Sequence, residues 1–198
     1  MFQSLIPLII FSFTMAFTPG PNNIMITASG VNFGFRRTLP HILGIVTGVF
    51  IMVVMVGFGL AQLFLIEPRL QIVLKYFGAA YLLFLAWRIS QAHTKKSNKE
   101  MARPISFLQA VLFQWVNPKG WVFTLGTLTT YTTTNGDIIK ETLGIALVNS
   151  LTSFTSVVIW AAFGSVIAPY LVSERSRRVF NYSMAALLVL SLIPVFWK

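Results

Sequence analysis

The sequence predicts an all-α integral membrane protein of six transmembrane helices, built as a 3+3 inverted repeat in which helices one and four are broken. Three observations lead there. Apolar residues make up 56% of the chain and charged residues only 10%, where a soluble domain carries about a quarter charged residues, and the apolar residues form long runs with the charges between them. Two of those runs are interrupted near their middles, at Thr18-Pro19-Gly20-Pro21-Asn22-Asn23 and at Asn117-Pro118-Lys119-Gly120. Basic residues gather in every second connection.

Six segments reach the length of about 20 mostly apolar residues that a crossing helix needs. The first covers 4–33 and is broken at 18–22. It opens MFQSLIPLIIFSF, without a basic lead or a small-x-small cleavage site, and so reads as a retained span and not a signal peptide. The second covers 39–65, where Gly44 and Gly48 form a small-xxx-small face suited to close helix packing. The third covers 70–91, and the fourth 105–133 with a break at 117–118. The fifth, 141–169, carries Asn149, Ser150 and Ser153, with Asn149 read as an amide that joins helices. The sixth covers 178–197. The first and fourth are overlong for straight helices, and a central unwound stretch absorbs the excess. The chain is one membrane domain, 1–198, with halves at about 1–91 and 105–198 and the loop 92–104 as the seam.

The formal charge is +10. Arg36 and Arg37 lie in the first connection, Arg88, Lys95, Lys96, Lys99 and Arg103 in the third, and Arg175, Arg177 and Arg178 in the fifth, ten of the fifteen basic residues. The second has Glu67 and Arg69, and the fourth Asp137, Lys140 and Glu141. The positive-inside rule puts the odd connections in the cytoplasm and both termini outside. Two three-helix halves then enter the membrane from opposite sides, which makes the repeat inverted. The same distribution argues against nucleic acid as a partner, because no basic stripe alternates with exposed aromatics.

The chain has no cysteine, which excludes disulfides, thiolate catalysis and metal–thiolate sites. Two histidines make no metal constellation, and no cofactor is expected. No Asp or Glu falls inside a span, and no acid/base pair or nucleophile set is visible, so an enzyme is not the reading.

What the chain does carry is a pair of breaks. Pro19, Pro21 and Pro118 remove backbone donors and free the carbonyls of Met15, Phe17 and Gln114. Pro21 opens a new half-helix at its first turn, with Gly20 or Thr18 as its cap. The free amides there, at the positive end of the helix dipole, attract a carboxylate, and Asn22 and Asn23 add donors and acceptors. Lys119 is the only ionised side chain near the middle of a span. That position costs about 2.5–3.5 kcal/mol on insertion scales, offset by a solute carboxylate, by water or by freed carbonyls. Gln114 and Asn117 add polarity at the second break, and Trp115 and Trp121 flank it as an aromatic wall. His41, near the cytoplasmic end of the second span, reads as an interfacial histidine with its hydrogen bonds met.

Broken helices in matching places of two halves mark a transporter binding site. The candidate substrate-binding residues are Pro19, Gly20, Pro21, Asn22, Asn23, Gln114, Asn117, Pro118 and Lys119. The alternatives are a channel, which shares such breaks in re-entrant segments, a non-transporting membrane subunit, and a membrane enzyme.

TPGPNN at 18–23 is followed by GFRRT at 34–38, GIVTG at 44–48, FGAAYLLFLAWRI at 77–89 and PISFLQAVLFQWVNPKGW at 104–121. With the closing apolar span, this resembles the LysE-type amino-acid exporter superfamily over nearly the whole chain, in particular its RhtB branch and the members that export cysteine and O-acetylserine. The resemblance implies a bacterial inner-membrane protein that exports small neutral amino acids or their derivatives. It further implies exchange with protons and a homodimer. The family's motif residues fall on Pro19, Gly20, Pro21 and Asn22 and on Asn117, Pro118 and Lys119. With no carboxylate in the spans, Lys119 or the solute itself is left to carry the proton.

Overall fold

The structure, a computed structural model, describes residues 2–67, 69–92, 103–133 and 136–196. Lys95, Lys96, Lys99 and Glu100 of the basic seam lie outside the described residues. All regular structure among the described residues is helical. The first run is α1 (Phe2–Phe17) and α2 (Pro21–Phe33), bent by 55° at the break between them. Next come α3 (Phe35–Met55), a π-type stretch Val56–Leu60, and α4 (Ala61–Ile66). α5 (Arg69–Gln91) follows. The second broken run is α6 (Phe107–Phe113), a 3-10 turn Gln114–Val116, and α7 (Pro118–Tyr131). α8 (Ile138–Ile167), α9 (Glu174–Leu190) and the short α10 (Ile193–Phe196) close the chain.

Four of these helical stretches are long and apolar enough to cross a bilayer: Phe35–Leu60, Arg69–Gln91, Ile138–Tyr170 and Glu174–Phe196. The bent pair α1–α2 makes a fifth if it counts as one span. The protein is therefore a multi-pass membrane protein. Large apolar side chains face outward accordingly, with Ile6, Ile10, Leu108, Leu151 and Val166 each more than half exposed. A soluble fold would bury such residues; here the acyl chains are the solvent.

α8 sits at the centre and packs against α1, α2 and α3, while α3 also packs on α6 and α5 on α9. Two apolar clusters result. Ile42, Ile45, Met52 and Val53 of α3 meet Ile145, Ala146, Val157 and Ala161 of α8. Leu82 and Leu85 of α5 meet Phe113 of α6 and Leu188 of α9. α2 feeds both, through Ile26 on one side and Met25 on the other. Helix association in lipid depends on close backbone approach at small residues. Gly30 of α2 lies against the Ala161 carbonyl of α8, and Gly164 of α8 against the Thr27 carbonyl of α2. Gly44 and Gly48 of α3 do the same against α6, where a Cβ on Gly48 would lie 2.7 Å from Gln114 Cγ.

Three local features depart from the sequence reading. The expected connection at 33–38 shrinks to Gly34, whose φ of 79° turns the chain from α2 into α3 in one residue, so that Arg36 and Arg37 stand in the first turn of α3. Glycine populates that left-handed region without steric cost. The second run is not a straight helix: Phe58 and Gly59 (φ 103°) kink it between α3 and α4. His41, expected at the interface with its hydrogen bonds met, is fully buried, and neither ring nitrogen has a partner. With no loop before α3, residue 41 falls on the same helix face as Thr38, Ile45 and Gly48, and that face is the packed one.

Candidate functional site

Both breaks end in helix starts of the same design. Gly20 is extended (φ −168°, ψ 178°) and Pro21 is the first residue of α2; Asn117 is extended (φ −85°, ψ 107°) and Pro118 is the first residue of α7. Proline at that position loses nothing, because the first amides of a helix have no partner within it. No side chain caps either helix. The amides of Asn22 and Asn23, and those of Lys119 and Gly120, therefore stand at two uncapped positive helix ends.

The two breaks touch. Lys119 Nζ donates to the Thr18 carbonyl and, at 2.8 Å, to Thr18 Oγ1. Its stem lies on Gly20, where a Cβ would come within 2.6 Å of Lys119 Cδ. Asn22 and Gln114 exchange amide hydrogen bonds: Asn22 Nδ2 donates to Gln114 Oε1 at 2.9 Å, and Gln114 Nε2 donates to Asn22 Oδ1 at 3.2 Å. Gln114 is fully buried.

Several of the carbonyls at the breaks are taken up within the bundle. Asn23 Nδ2 donates to Ala16 O at 2.8 Å and to Thr18 O at 3.0 Å, and Ser156 Oγ of α8 donates to Ala16 O at 2.8 Å. Met15 O accepts from Thr18 Oγ1 at 2.9 Å, and Gln114 O accepts the Asn117 amide at 3.3 Å. The acceptors that tie the first break to the rest of the fold are thus Ala16 and Thr18, not the Phe17 carbonyl that proline geometry singles out. Asn149 is engaged elsewhere. It accepts from Ser12 Oγ at 2.8 Å and donates to Thr127 Oγ1 at 2.9 Å, joining α1, α7 and α8.

Between the breaks lies a cavity of about 40 Å³. Gly20, Asn22, Asn23, Gln114, Asn117 and Lys119 line it, together with Ser153 and Ser156 of α8 and Ile45 and Val49 of α3. Pro19, Pro21 and Pro118 shape the breaks without lining it. Sequence reasoning missed Ala16 and Ser156. A signal for Ser156 was present, since Asn149, Ser153 and Ser156 recur at helical spacing in an otherwise apolar run. Trp115 and Trp121 do not wall this cavity. They pack edge to face, with ring centroids 6.2 Å apart, and line a separate groove of about 560 Å³ with Lys75 and Val195. Acidic side chains among the described residues keep to helix ends and connections, at Glu67, Asp137, Glu141 and Glu174. Asp137 caps α8, and the amide and ammonium of Lys140 with the Ile139 amide hold its carboxyl below the usual range. The cavity therefore gathers one ammonium, two positive helix ends and neutral amides.

A model of the LysE type translocator family matches residues 13–192 of the chain. The cysteine/O-acetylserine efflux protein of Escherichia coli (strain K12) is 30% identical over 183 residues, 92% of each chain. The proteins of the same description from Shigella sonnei (strain Ss046) and Shigella flexneri serotype 5b (strain 8401) match to the same extent. No solved structure matches the chain.

Proposed function

The chain belongs to the LysE-type translocator family, and on that premise we propose that it exports a small neutral amino acid, of the cysteine and O-acetylserine class, across the bacterial inner membrane. Membership of that family makes it a transporter and not an enzyme. One observation carries the choice of solute: two uncapped helix starts converge with the Lys119 ammonium on a single cavity lined by no carboxylate. Helix N-termini and a cation both favour an anion, and a solute carboxylate supplies it. The candidate substrate-binding residues are those of the two breaks: Pro19, Gly20, Pro21, Asn22 and Asn23, with Gln114, Asn117, Pro118 and Lys119.

The cavity in this conformation is largely filled by its own side chains. About 40 Å³ holds a few waters, not an amino acid. Loading therefore requires the starts of α2 and α7 to part, with Lys119 exchanging Thr18 for the solute carboxylate. That exchange is the central step of an alternating-access cycle, and the two half-helices are the parts that move.

Six spans result when α6, its 3-10 turn and α7 count as a broken fourth. Three pairings support the inverted repeat: α3 packs on α8, α5 on α9, and the first break on the second. Each element of one half thus meets its counterpart in the other, as elements near a two-fold axis do. The basic connections then face the cytoplasm and both termini the outside. Export is coupled to proton entry, with Lys119 or the solute as the proton carrier, and the working unit is a homodimer.

The test uses the purified chain in proteoliposomes loaded with L-cysteine or O-acetyl-L-serine. The reading expects saturable efflux that accelerates when an inward proton gradient is imposed. Flux that rises linearly with concentration and ignores the gradient overturns it in favour of a channel.

A further inference from the structure

Asn117 is in the best position a helix offers for its side chain and does not use it. An asparagine just before the first helical turn ordinarily accepts a hydrogen bond from one of the first free amides. Asn117 Oδ1 makes no such bond. The side chain is only 2% exposed, lines the cavity, and its carbonyl oxygen has no hydrogen-bond partner. The other buried polar atoms without partners, on His41, Thr142, Ser150 and Trp160, belong to residues that do not line this cavity.

Most of the remaining acceptors nearby are occupied. Ala16 O, Thr18 O and Met15 O each take donors from within the protein, and the amides of Asn22 and Gln114 are closed on each other. Of the carbonyls released by the prolines, those of Met15 and Gln114 are therefore taken, and Phe17 does not line this cavity. Asn117 Oδ1 is free to hold a solute's cationic end. A carbonyl oxygen accepts and cannot donate, so the group it suits is a donor, and a charged donor forms the stronger bond.

We infer that Asn117 Oδ1 receives the α-ammonium of the solute, beside the carboxylate site of Lys119 and the uncapped amides, so that the transporter selects a free primary α-amine. The inference rests on the amino-acid reading of this cavity and deepens it. It predicts that a solute stripped of its ammonium is discriminated at this one residue.

Two ligand pairs isolate that group: L-cysteine with 3-mercaptopropionate, and L-alanine with propanoate, each differing only in the α-ammonium. Binding to the detergent-purified full chain is measured by calorimetry. The parent should prefer the amino acid in at least one pair by tenfold or more. Asn117→Ala should lower the amino-acid affinity about tenfold, leave that of the deaminated partner unchanged, and so erase the preference. Asn117→Ser guards against simple misfolding. Serine is a competent helix cap, so its hydroxyl turns to the α7 amides and the chain keeps its unfolding temperature, yet the preference is still lost. A Ser variant that is stable and still prefers the amino acid overturns the Asn117 assignment alone. A parent that binds neither L-cysteine nor L-alanine overturns the amino-acid reading and this inference with it.

Discussion

Replacing Lys119 with methionine separates a solute-binding lysine from a structural one. The substitution removes the ammonium but keeps an unbranched stem over Gly20. A lysine at the middle of a span costs about 2.5–3.5 kcal/mol to insert. A hydrogen bond from a charged donor contributes about 1.5–3 kcal/mol, and Lys119 makes two, both to Thr18. Together the two bonds contribute about 3–6 kcal/mol, so the loss of the buried charge offsets about half of that or more. Nothing is orphaned either: Thr18 O keeps Asn23 Nδ2 at 3.0 Å, and Thr18 Oγ1 keeps Met15 O at 2.9 Å. Stability should fall by about 1.5 kcal/mol at the middle of both ranges and by no more than about 3.5 kcal/mol.

Binding should respond quite differently. Losing one charge-assisted contact to a carboxylate costs about 1.5–3 kcal/mol, or roughly 10- to 150-fold in affinity. The assay is a thermal unfolding curve beside L-cysteine binding on the same detergent-purified sample, followed by flux in proteoliposomes. Lys119→Arg should recover part of the binding at best, because its planar fork is broader than an ammonium over the Gly20 surface. A methionine variant that binds within twofold of the parent refutes the carboxylate role. One that loses more than about 4 kcal/mol of stability shows that the lysine holds the breaks together.

Four further outcomes follow from the geometry. Gly20→Ala fits the extended backbone but drives a methyl into Lys119 Cδ, so flux should drop at least tenfold at an unchanged unfolding temperature; unaltered flux would mean that the lysine's position is immaterial. Pro21→Ala should insert normally and transport poorly, and the double change with Pro19→Ala worse, because alanine lets α1 and α2 join and draws the free amides into the helix; parental flux in the double variant would reduce the break to a packing kink. Asn149→Ala deprives Ser12 of its acceptor while Thr127 keeps the carbonyls of Phe123 and Thr124, so it should cost about 0.6–2 kcal/mol with solute affinity retained, as read by thermal unfolding and binding together. A reporter fused at Lys96 should behave as cytoplasmic, and reporters at Asp137 and after Lys198 as external; a periplasm-active Lys96 fusion would reverse the orientation.

The breaks were legible in the sequence because proline chemistry is local. Pro21 reads as the start of a helix and is one, and Pro118 starts another in the same way. Of the two caps proposed for α2, the chain uses Gly20. The partners of the freed carbonyls were not legible, because Ala16 and Ser156 meet only through the packing of α1 on α8, 140 positions apart in sequence. His41 was misplaced for a related reason. A helix in lipid is apolar on every side, so hydropathy cannot tell its packed face from its exposed one, and the burial of residue 41 became visible only with Gly44 and Gly48 seated on α6. The tryptophans flanking the second break gave the converse error: adjacency along the chain did not fix which side of the helix their rings occupy.

The reciprocal amide pair of Asn22 and Gln114 has a consequence for descent. Two residues 92 positions apart share a pair of bonds that neither can keep alone. Changing Asn22 by itself strands the Gln114 side-chain carbonyl in a buried site, at a desolvation cost of about 1–3 kcal/mol. Changing both to apolar residues of matching shape removes that cost. The two positions thus form one heritable unit: a single change carries the cost of the stranded group, a compensated double change does not carry that cost, and lineages of this protein should vary at 22 and 114 together or at neither.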